Sequence, residues 1–407
     1  MRLCIISQYF LPDINGDVIR LLNSIKFLIN EGFDIILITS YPHYPTGEIP
    51  NEYKFKLISV DVWRSIKIIR VPILPFPHRT SFERFLIYLS FSFFSLFSIP
   101  FIGQIDVVWA FSQRIFSFFP SYVLKIVKKA EVISDVTDVW PEALLNTGKL
   151  NSDGILFHII HKIMRITLHL SDCITTLTKP MKNMLIKSAK ISPSKIFILP
   201  NAVDVSLFHP TKTIHNAEFN NKFIVMYSGN LGPNYDFHTV LESALYLNDK
   251  DTNVLFIIRG YGEMSTYIID FITSNKLNNI IFDTKILNKK DLVRYLNQAD
   301  TFLLPLKKCK FPDASFSIKL LDYLSCGKPI ITNAEGYLST LIINNKVGFS
   351  VTPNDAIEFS NAILMLKNDQ KRRQEFSKNA RDLAVNFYSH KNVEKTYGYF
   401  FRKSVKS

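Results

Sequence analysis

Residues 2–39 read RLCIISQYFLPDINGDVIRLLNSIKFLINEGFDIILIT. Arg2–Ser7 is an apolar run of strand length, and Asp17–Asn30 repeats its apolar residues at helical spacing. Gly32 stops that helix, and Asp34–Thr39 is a second apolar run. Two apolar strands joined by one amphipathic helix make a βαβ unit, whose strands run parallel and are buried on both faces.

Working outward, strands are predicted at Ile66–Val71, Val107–Ala110, Ala130–Asp135 and Cys173–Leu177, with helical stretches between them. The first half is therefore expected to form a parallel sheet covered on both faces. The pattern restarts after Pro200, with strands at Phe223–Ser228, Asn253–Arg259, Asn279–Phe282, Thr301–Pro305 and Pro329–Thr332 and a helix at Asp236–Leu247. A chain of 407 residues exceeds the roughly 250–300 at which single cores stop growing. The expected fold class is α/β, with doubly wound domains at 1–200 and 201–385 that face each other across a cleft lined by the carboxyl ends of their strands. Residues 386–407 are expected as a helix packing back toward the first domain.

A hydrophobic content of 47% with 13% aromatic residues excludes a disordered or collagen-like chain. Lys plus Arg at 48 against Asp plus Glu at 35 gives a net charge of +13, which suits anionic partners such as phosphates or acidic lipid. No nucleic-acid-binding motif accompanies that charge, so no nucleic-acid partner is expected. Cys4, Cys173, Cys309 and Cys326 stand apart, without a CxxC pair, which fits a reducing compartment. The opening apolar run is too short for a secretory leader, and a cytosolic location is expected.

One segment complicates that location. Phe85–Gly103, FLIYLSFSFFSLFSIPFIG, carries no formal charge over a length that suffices to span a bilayer. Ser92, Ser95 and Ser98 recur at helical spacing as a narrow polar stripe, Pro100 breaks the end, and Arg79 and Arg84 precede it. A single crossing would divide one sheet between two compartments, so a helix lying in the membrane interface, or an ordinary buried helix, is expected instead.

Three glycine-bearing loops fall where an α/β fold binds ligands. Pro12-Asp13-Ile14-Asn15-Gly16 joins the first strand to its helix, whose N-terminus offers N–H groups to an anion. Ser228-Gly229-Asn230-Leu231-Gly232 does the same in the second half, and Gly260-Tyr261-Gly262 follows the next strand. A plain turn is the other reading of each. The stretch Phe316–Ile331 reads as a helix from about Ser315 to Ser325, with Gly327 beyond its end and Pro329 opening a strand. Lys319 then lies one turn before Asp322: the cation suits a diphosphate and the carboxylate two vicinal ribose hydroxyls, or the two form a surface ion pair.

Ser317–Pro329 resembles the S-K-x-x-E-Y-x-x-x-G-K-P signature of the retaining glycosyltransferases of family 4. The tracts Gln8–Pro12 with Gly16 and Arg20, Asp138-Val139-Trp140-Pro141-Glu142, Leu199–Asp204 and Tyr227–Asn230 agree with it, and together they resemble the subgroup that builds bacterial cell-surface polysaccharides. The resemblance implies the GT-B architecture of two Rossmann-like domains. It implies a nucleoside-diphosphate sugar as donor, no required cofactor or metal, and a saccharide acceptor carried on a polyprenyl diphosphate. Under it, Ser228, Gly229, Asn230, Gly232, Gly260, Tyr261, Gly262, Ser317, Lys319 and Asp322 hold the donor with help from Gly16. Lys319 stabilises the leaving diphosphate, and Asp138, with Asp135 second, faces the sugar or acceptor; an N-cap role before Trp140-Pro141 is the alternative for Asp138.

Two departures stand out. The family's E-x7-E pair falls on Ala314 and Asp322, and its Lys-Gly after the glycine loop falls on Tyr235-Asp236. Asp249-Lys250-Asp251 has the form of a metal-binding Asp-x-Asp but sits where a solvated turn is expected. The run Lys179, Lys182, Lys187, Lys190 and Lys195, with Phe85–Gly103, suits peripheral contact with an anionic membrane on its cytoplasmic face. Competing readings are a nucleotide-sugar 2-epimerase of the same fold and a catalytically inactive nucleotide-sugar-binding subunit.

Overall fold

The structure, a computed structural model, describes the chain apart from residues 45, 78–79, 113–117, 147, 149, 212–218, 220, 286 and 405–407. Arg79 therefore lies outside the described residues. The first domain runs β1 (Arg2–Ile6), α1 (Gly16–Asn30), β2 (Asp34–Ser40), β3 (Ser59–Trp63), β4 (Ile66–Val71), α2 (Ser81–Ser95), β5 (Val107–Ala110), α3 (Phe118–Lys128) and β6 (Glu131–Val136). It continues through α4 (Glu142–Leu145), α5 (Ile155–Leu170), β7 (Cys173–Thr176), α6 (Lys179–Ala189) and β8 (Ile196–Ile198). The second domain runs β9 (Phe223–Ser228), α7 (Phe237–Asn248), β10 (Val254–Arg259), α8 (Ser265–Ser274), β11 (Ile280–Asp283), α9 (Lys289–Leu296) and β12 (Thr301–Leu304). After it come α10 (Lys319–Ser325), β13 (Ile330–Thr332), α11 (Gly336–Asn344), β14 (Gly348–Ser350), α12 (Ala356–Asn368), α13 (Gln370–Leu383) and α14 (His390–Ser404).

The strands form two sheets, ordered β3-β4-β2-β1-β5-β6-β7-β8 and β11-β10-β9-β12-β13-β14. The second is parallel throughout, and so is the first except at its edge, where β3 pairs antiparallel with β4. That edge corrects the expectation of an all-parallel first sheet: alternate residues of β3 are exposed, so Ser59–Trp63 lacks the continuous apolar run that marks a buried parallel strand. Strand order reverses beside β1 and beside β9, the switch points where open α/β sheets bind ligands. The loops that follow these two strands carry Gly16 and Gly229.

Right-handed crossovers place α1 on one face of the first sheet and α2, α3 and α5 on the other. On the α1 face, α14 completes the core: Val393, Tyr397, Phe400 and Phe401 are buried with Leu21, Phe27 and Trp109. The Tyr397 hydroxyl meets Ser24 Oγ at 3.1 Å, so the last helix of the chain is bolted to the first domain. On the opposite face α2 presents Ile87 and Phe91 to Ile69, Val71 and Val108.

The serine stripe of this segment faces the fold. Ser92, Ser95 and Ser98 point inward and are buried, with Ser95 Oγ donating to the Phe91 carbonyl at 2.6 Å and Ser98 Oγ to the Ser95 carbonyl at 2.6 Å. A serine that bonds its own helix backbone needs no water, so the small side chains let the helix approach the sheet while phenylalanines turn outward.

Replacing Tyr397 by Ala is expected to cost about 3–5 kcal/mol, the usual penalty for emptying a fully buried aromatic site. Denaturant unfolding of the full chain reads it; an unchanged midpoint would mean α14 does not support the first domain.

Candidate functional site

Between the two sheets lies an open cleft lined by residues of both domains. Its second-domain wall is built on one steric fact. Gly229 has a φ of +151°, and a Cβ there would lie 1.8 Å from Lys319 Cε, so the lysine stem runs directly over the glycine. Gly260, at φ +144°, lets its loop stack on the first, since a Cβ there would lie 1.8 Å from the Gly229 carbonyl oxygen.

Tyr323 fixes this loop to α10. Its hydroxyl accepts from the Ser228 N–H and donates to the Ser228 carbonyl, both at 3.0 Å, while its ring stacks on Phe302 at 4.0 Å. Lys319 Nζ donates to the Tyr235 hydroxyl at 2.6 Å and lies 4.3 Å from the centre of that ring. Tyr235 thus stands against the ammonium group rather than replacing it. Burial raises the Tyr235 phenol, but the adjacent Lys319 charge and the side-chain hydrogen bonds around the hydroxyl together hold the group below the ordinary tyrosine value.

The helix expected from Ser315 begins only at Lys319. Ser315 is extended, with φ −146° and ψ 167°, and Phe316 packs against apolar residues of both domains, which holds the chain out of helical geometry. Lys319 and Asp322 do not form the alternative ion pair, because the ammonium is turned to Tyr235. Asp322 is half-buried and lines the cleft; desolvation pushes its carboxyl up to about 7, against the pull of Lys289 and Lys319.

Of the residues expected at the site, Gly16, Asp138, Gly229, Asn230, Gly260, Tyr261, Ser317, Lys319 and Asp322 line this cleft. Ser228, Gly232 and Gly262 stand behind it: Ser228 is the anchor of Tyr323, and the Gly262 N–H bonds Ser265 Oγ at 3.0 Å. Asp138 does not cap the following helix, whose N-cap position is Pro141.

Asp135 has a different place from the one expected. It is fully buried away from the cleft, paired with the Arg20 guanidinium, and accepts from Thr175 Oγ1 at 2.6 Å and the Ser112 N–H at 3.1 Å. Its oxygens are engaged inside the sheet, where it ties β6 to Arg20 of α1, to Ser112 after β5 and to Thr175 of β7.

Four cleft residues escaped the sequence reading. Asp17, beside Gly16, accepts from Ser112 Oγ at 2.7 Å. Arg259, which precedes Gly260, pairs with Asp283 at 3.3 Å, and Lys285 stands near it. Asn201 is buried, and neither of its amide atoms has a hydrogen-bond partner among the described residues. Arg259 and Lys285 bring to this wall the positive charge that Tyr235 does not.

The departure at position 314 also has a physical basis. Ala314 is fully buried among Val139, Leu177 and Met181, and its carbonyl accepts from the Val139 N–H at 2.8 Å across the domains. Asp313 does not stand in for a missing carboxylate, since its Oδ1 caps Tyr337 N at 2.6 Å. Asp251 of the Asp-x-Asp tract is paired with Lys367, and no cluster of three or more metal-ligating side chains occurs among the described residues.

Residues 210–383, most of the second domain, match the family described as glycosyl transferases group 1. Along 359 residues the chain is 23% identical to a putative colanic acid biosynthesis glycosyl transferase, WcaI, of Escherichia coli K12, covering 83% of this chain and 84% of the relative. The chain has the GT-B fold, with a second domain that matches the glycosyl transferases of group 1. A UDP-Gal:alpha-D-GlcNAc-diphosphoundecaprenol alpha-1,3-galactosyltransferase of Escherichia coli is 29% identical to it over 221 residues, 51% of this chain and 54% of that one. Sucrose-phosphate synthase of Thermosynechococcus elongatus shares its fold with a TM-score of 0.75 at 15% identity, covering 99% and 98% of the two chains.

The Asp322 carboxyl sets a pH dependence. If its ionised form accepts from ribose hydroxyls, binding should be full above pH 7 and should weaken about tenfold from pH 8 to pH 6 as the free carboxyl takes up its proton. Calorimetry with a nucleotide sugar, whose esterified diphosphate does not titrate in this range, reads the effect; a slope that persists in Asp322→Asn would assign it to another group. Gly229→Ala must displace Lys319 and is expected to weaken the same binding at least tenfold, whereas unchanged affinity would mean the lysine stem need not cross the glycine.

Proposed function

We propose that the chain is a retaining transferase that moves a sugar from a nucleoside-diphosphate sugar to a saccharide on a polyprenyl diphosphate, during assembly of a cell-surface polysaccharide. The observation that carries this reading is the Lys319 ammonium, held over Gly229 by Tyr235 at the carboxyl edge of β9 with Asp322 one turn beyond it. In this scheme the diphosphate lies along the Gly229 and Gly260 loops and the ribose against Asp322. Departure of the diphosphate builds negative charge on its oxygen, and Lys319, with Arg259 and Lys285 near it, supplies the opposing charge, so no metal is required.

The leaving phosphate takes the acceptor proton on the same face of the sugar, which retains the anomeric configuration. Asp17 and Asp138 on the opposite wall are placed to orient the acceptor hydroxyl and to face the positive charge that develops on the sugar. The retaining outcome is supported by the resemblance of Ser317–Pro329 to the signature of retaining enzymes. The lipid-linked acceptor is supported by the diphosphoundecaprenol named for the Escherichia coli galactosyltransferase. Such an acceptor places the reaction at the cytoplasmic face of the cell membrane, with the protein peripheral to it.

The test is release of nucleoside diphosphate from a panel of nucleotide sugars by the purified chain, with and without a polyprenyl-diphosphate saccharide. Acceptor-stimulated release is expected, and Lys319→Ala should lower turnover about 100-fold or more. Binding without turnover under acceptor-rich conditions would contradict the reading and favour an inactive nucleotide-sugar-binding subunit. In Asp17→Asn, kcat is expected to fall with little change in the KM for the donor; a donor KM that rises alone would move Asp17 to the donor side.

A further inference from the structure

The helix layer opposite α1 breaks the usual rule that a covering helix shows polar residues to water. On α2, Phe82 is 68% exposed and Phe93 55%; on α5, Ile155 is 79% exposed and Leu156 58%. Between them α3 exposes Phe119, Ile126 and Val127. Solvent-exposed apolar residues on three neighbouring helices form a surface of the kind that marks an interface.

The charge of these helices says what lies against it. Arg84, Lys125, Lys128, Lys162 and Arg165 are five basic residues within α2, α3 and α5, and Glu83 is their one acid. Glu83 is the capping-box residue of α2, and Arg84 and Lys125 are paired with Glu263 and Asp172. Lys162 and Arg165 stand exposed beside Ile166 and Leu170, and no acidic partner is found for them among the described residues. Outward phenylalanine and isoleucine interleaved with unpaired cations is the composition that suits the boundary between lipid headgroups and acyl chains.

Position relative to the cleft adds a second argument. Each of these helices returns antiparallel to its parallel strands, so its N-terminal end, with Phe82, Phe119 or Ile155, lies at the carboxyl edge of the sheet where the cleft opens. The first turn of α2 reaches the second domain, where Arg84 meets Glu263 at 3.3 Å in the loop after β10.

We propose that the outer face of α2, α3 and α5 is the surface on which the protein rests on an anionic phospholipid bilayer, with the cleft mouth beside the lipid. In the lysine run 179–195, Lys182 Nζ donates to the Ile196 carbonyl at 2.7 Å and Lys195 Nζ to the Ser171 carbonyl at 3.1 Å, so those two cations are engaged within the fold, while Lys179, Lys187 and Lys190 are exposed. The proposal rests on the lipid-linked acceptor for its purpose alone, and its test uses no acceptor.

The full chain is sedimented with vesicles of phosphatidylglycerol and phosphatidylcholine, and with phosphatidylcholine vesicles alone. Wild-type protein is expected to pellet with the anionic vesicles and to be released by salt. Phe82→Ser with Phe93→Ser, and separately Lys162→Glu with Arg165→Glu, are each expected to lower that partition about tenfold or more. Neither pair touches the cleft, so acceptor-independent release of nucleoside diphosphate should be unchanged in both.

Wild-type protein left in the supernatant, or both variants pelleting like wild type, would overturn the proposal. A concentration-dependent dimer broken by the same substitutions, without vesicle binding, would overturn it in favour of a second copy of the chain. Vesicle binding by a chain that turns over no nucleotide sugar would leave this surface standing and remove the proposed reaction.

Discussion

The Lys319 side chain crosses the loop after β9 at Gly229, where no Cβ stands in its way, and the donor wall is organised around that crossing. If Gly229 carried a methyl group, the stem would be expelled from its path and the ammonium would leave Tyr235. If Tyr323 lost its hydroxyl, the loop would lose both backbone bonds that hold it to α10. The cation is thus held by van der Waals contact below, a phenol beside it and a tyrosine clamp behind it. Such preorganisation is what charge stabilisation requires, because a group fixed before the reaction need not reorganise during it.

The two walls use buried charge differently. In the first domain, Asp135 and Arg20 pair inside the sheet, with Arg20 at the floor of the cleft and Asp135 behind it. The carboxylates at the cleft are Asp17 and Asp138, each a few residues from that pair along its own segment. In the second domain the cations face the opening, and Asp322 lies among them with its proton held more tightly than usual. A neutral or anionic Asp322 changes what the wall can accept, which links donor recognition to pH through one group.

Much of this was legible in the sequence, for reasons that individual residues show. The apolar runs of β1, β2, β9 and β10 can only be buried parallel strands, and their spacing by helices fixed both domains. Lys319, Asp322 and Gly229 stood out because charge, glycine and register coincided in one segment. The burial of Asp135 was not legible, because a strand-end position suits a cleft residue as well as a buried ion pair, and its partner Arg20 lies 115 residues away. Arg259 belongs to the third candidate loop, but its neighbour glycines marked that loop, while its partner Asp283 comes from another strand. The serine stripe of Phe85–Gly103 left its direction open, because a hydroxyl that bonds its own helix backbone is as compatible with burial as with water.

The account depends on the Lys319 ammonium meeting the diphosphate. A crystal structure of the chain with a bound nucleoside diphosphate tests this most directly. The account predicts Nζ within about 3 Å of a phosphate oxygen, with the diphosphate along the Gly229 loop and the ribose on Asp322. A diphosphate bound elsewhere in the cleft, with Nζ still bonded to Tyr235 alone, would contradict it.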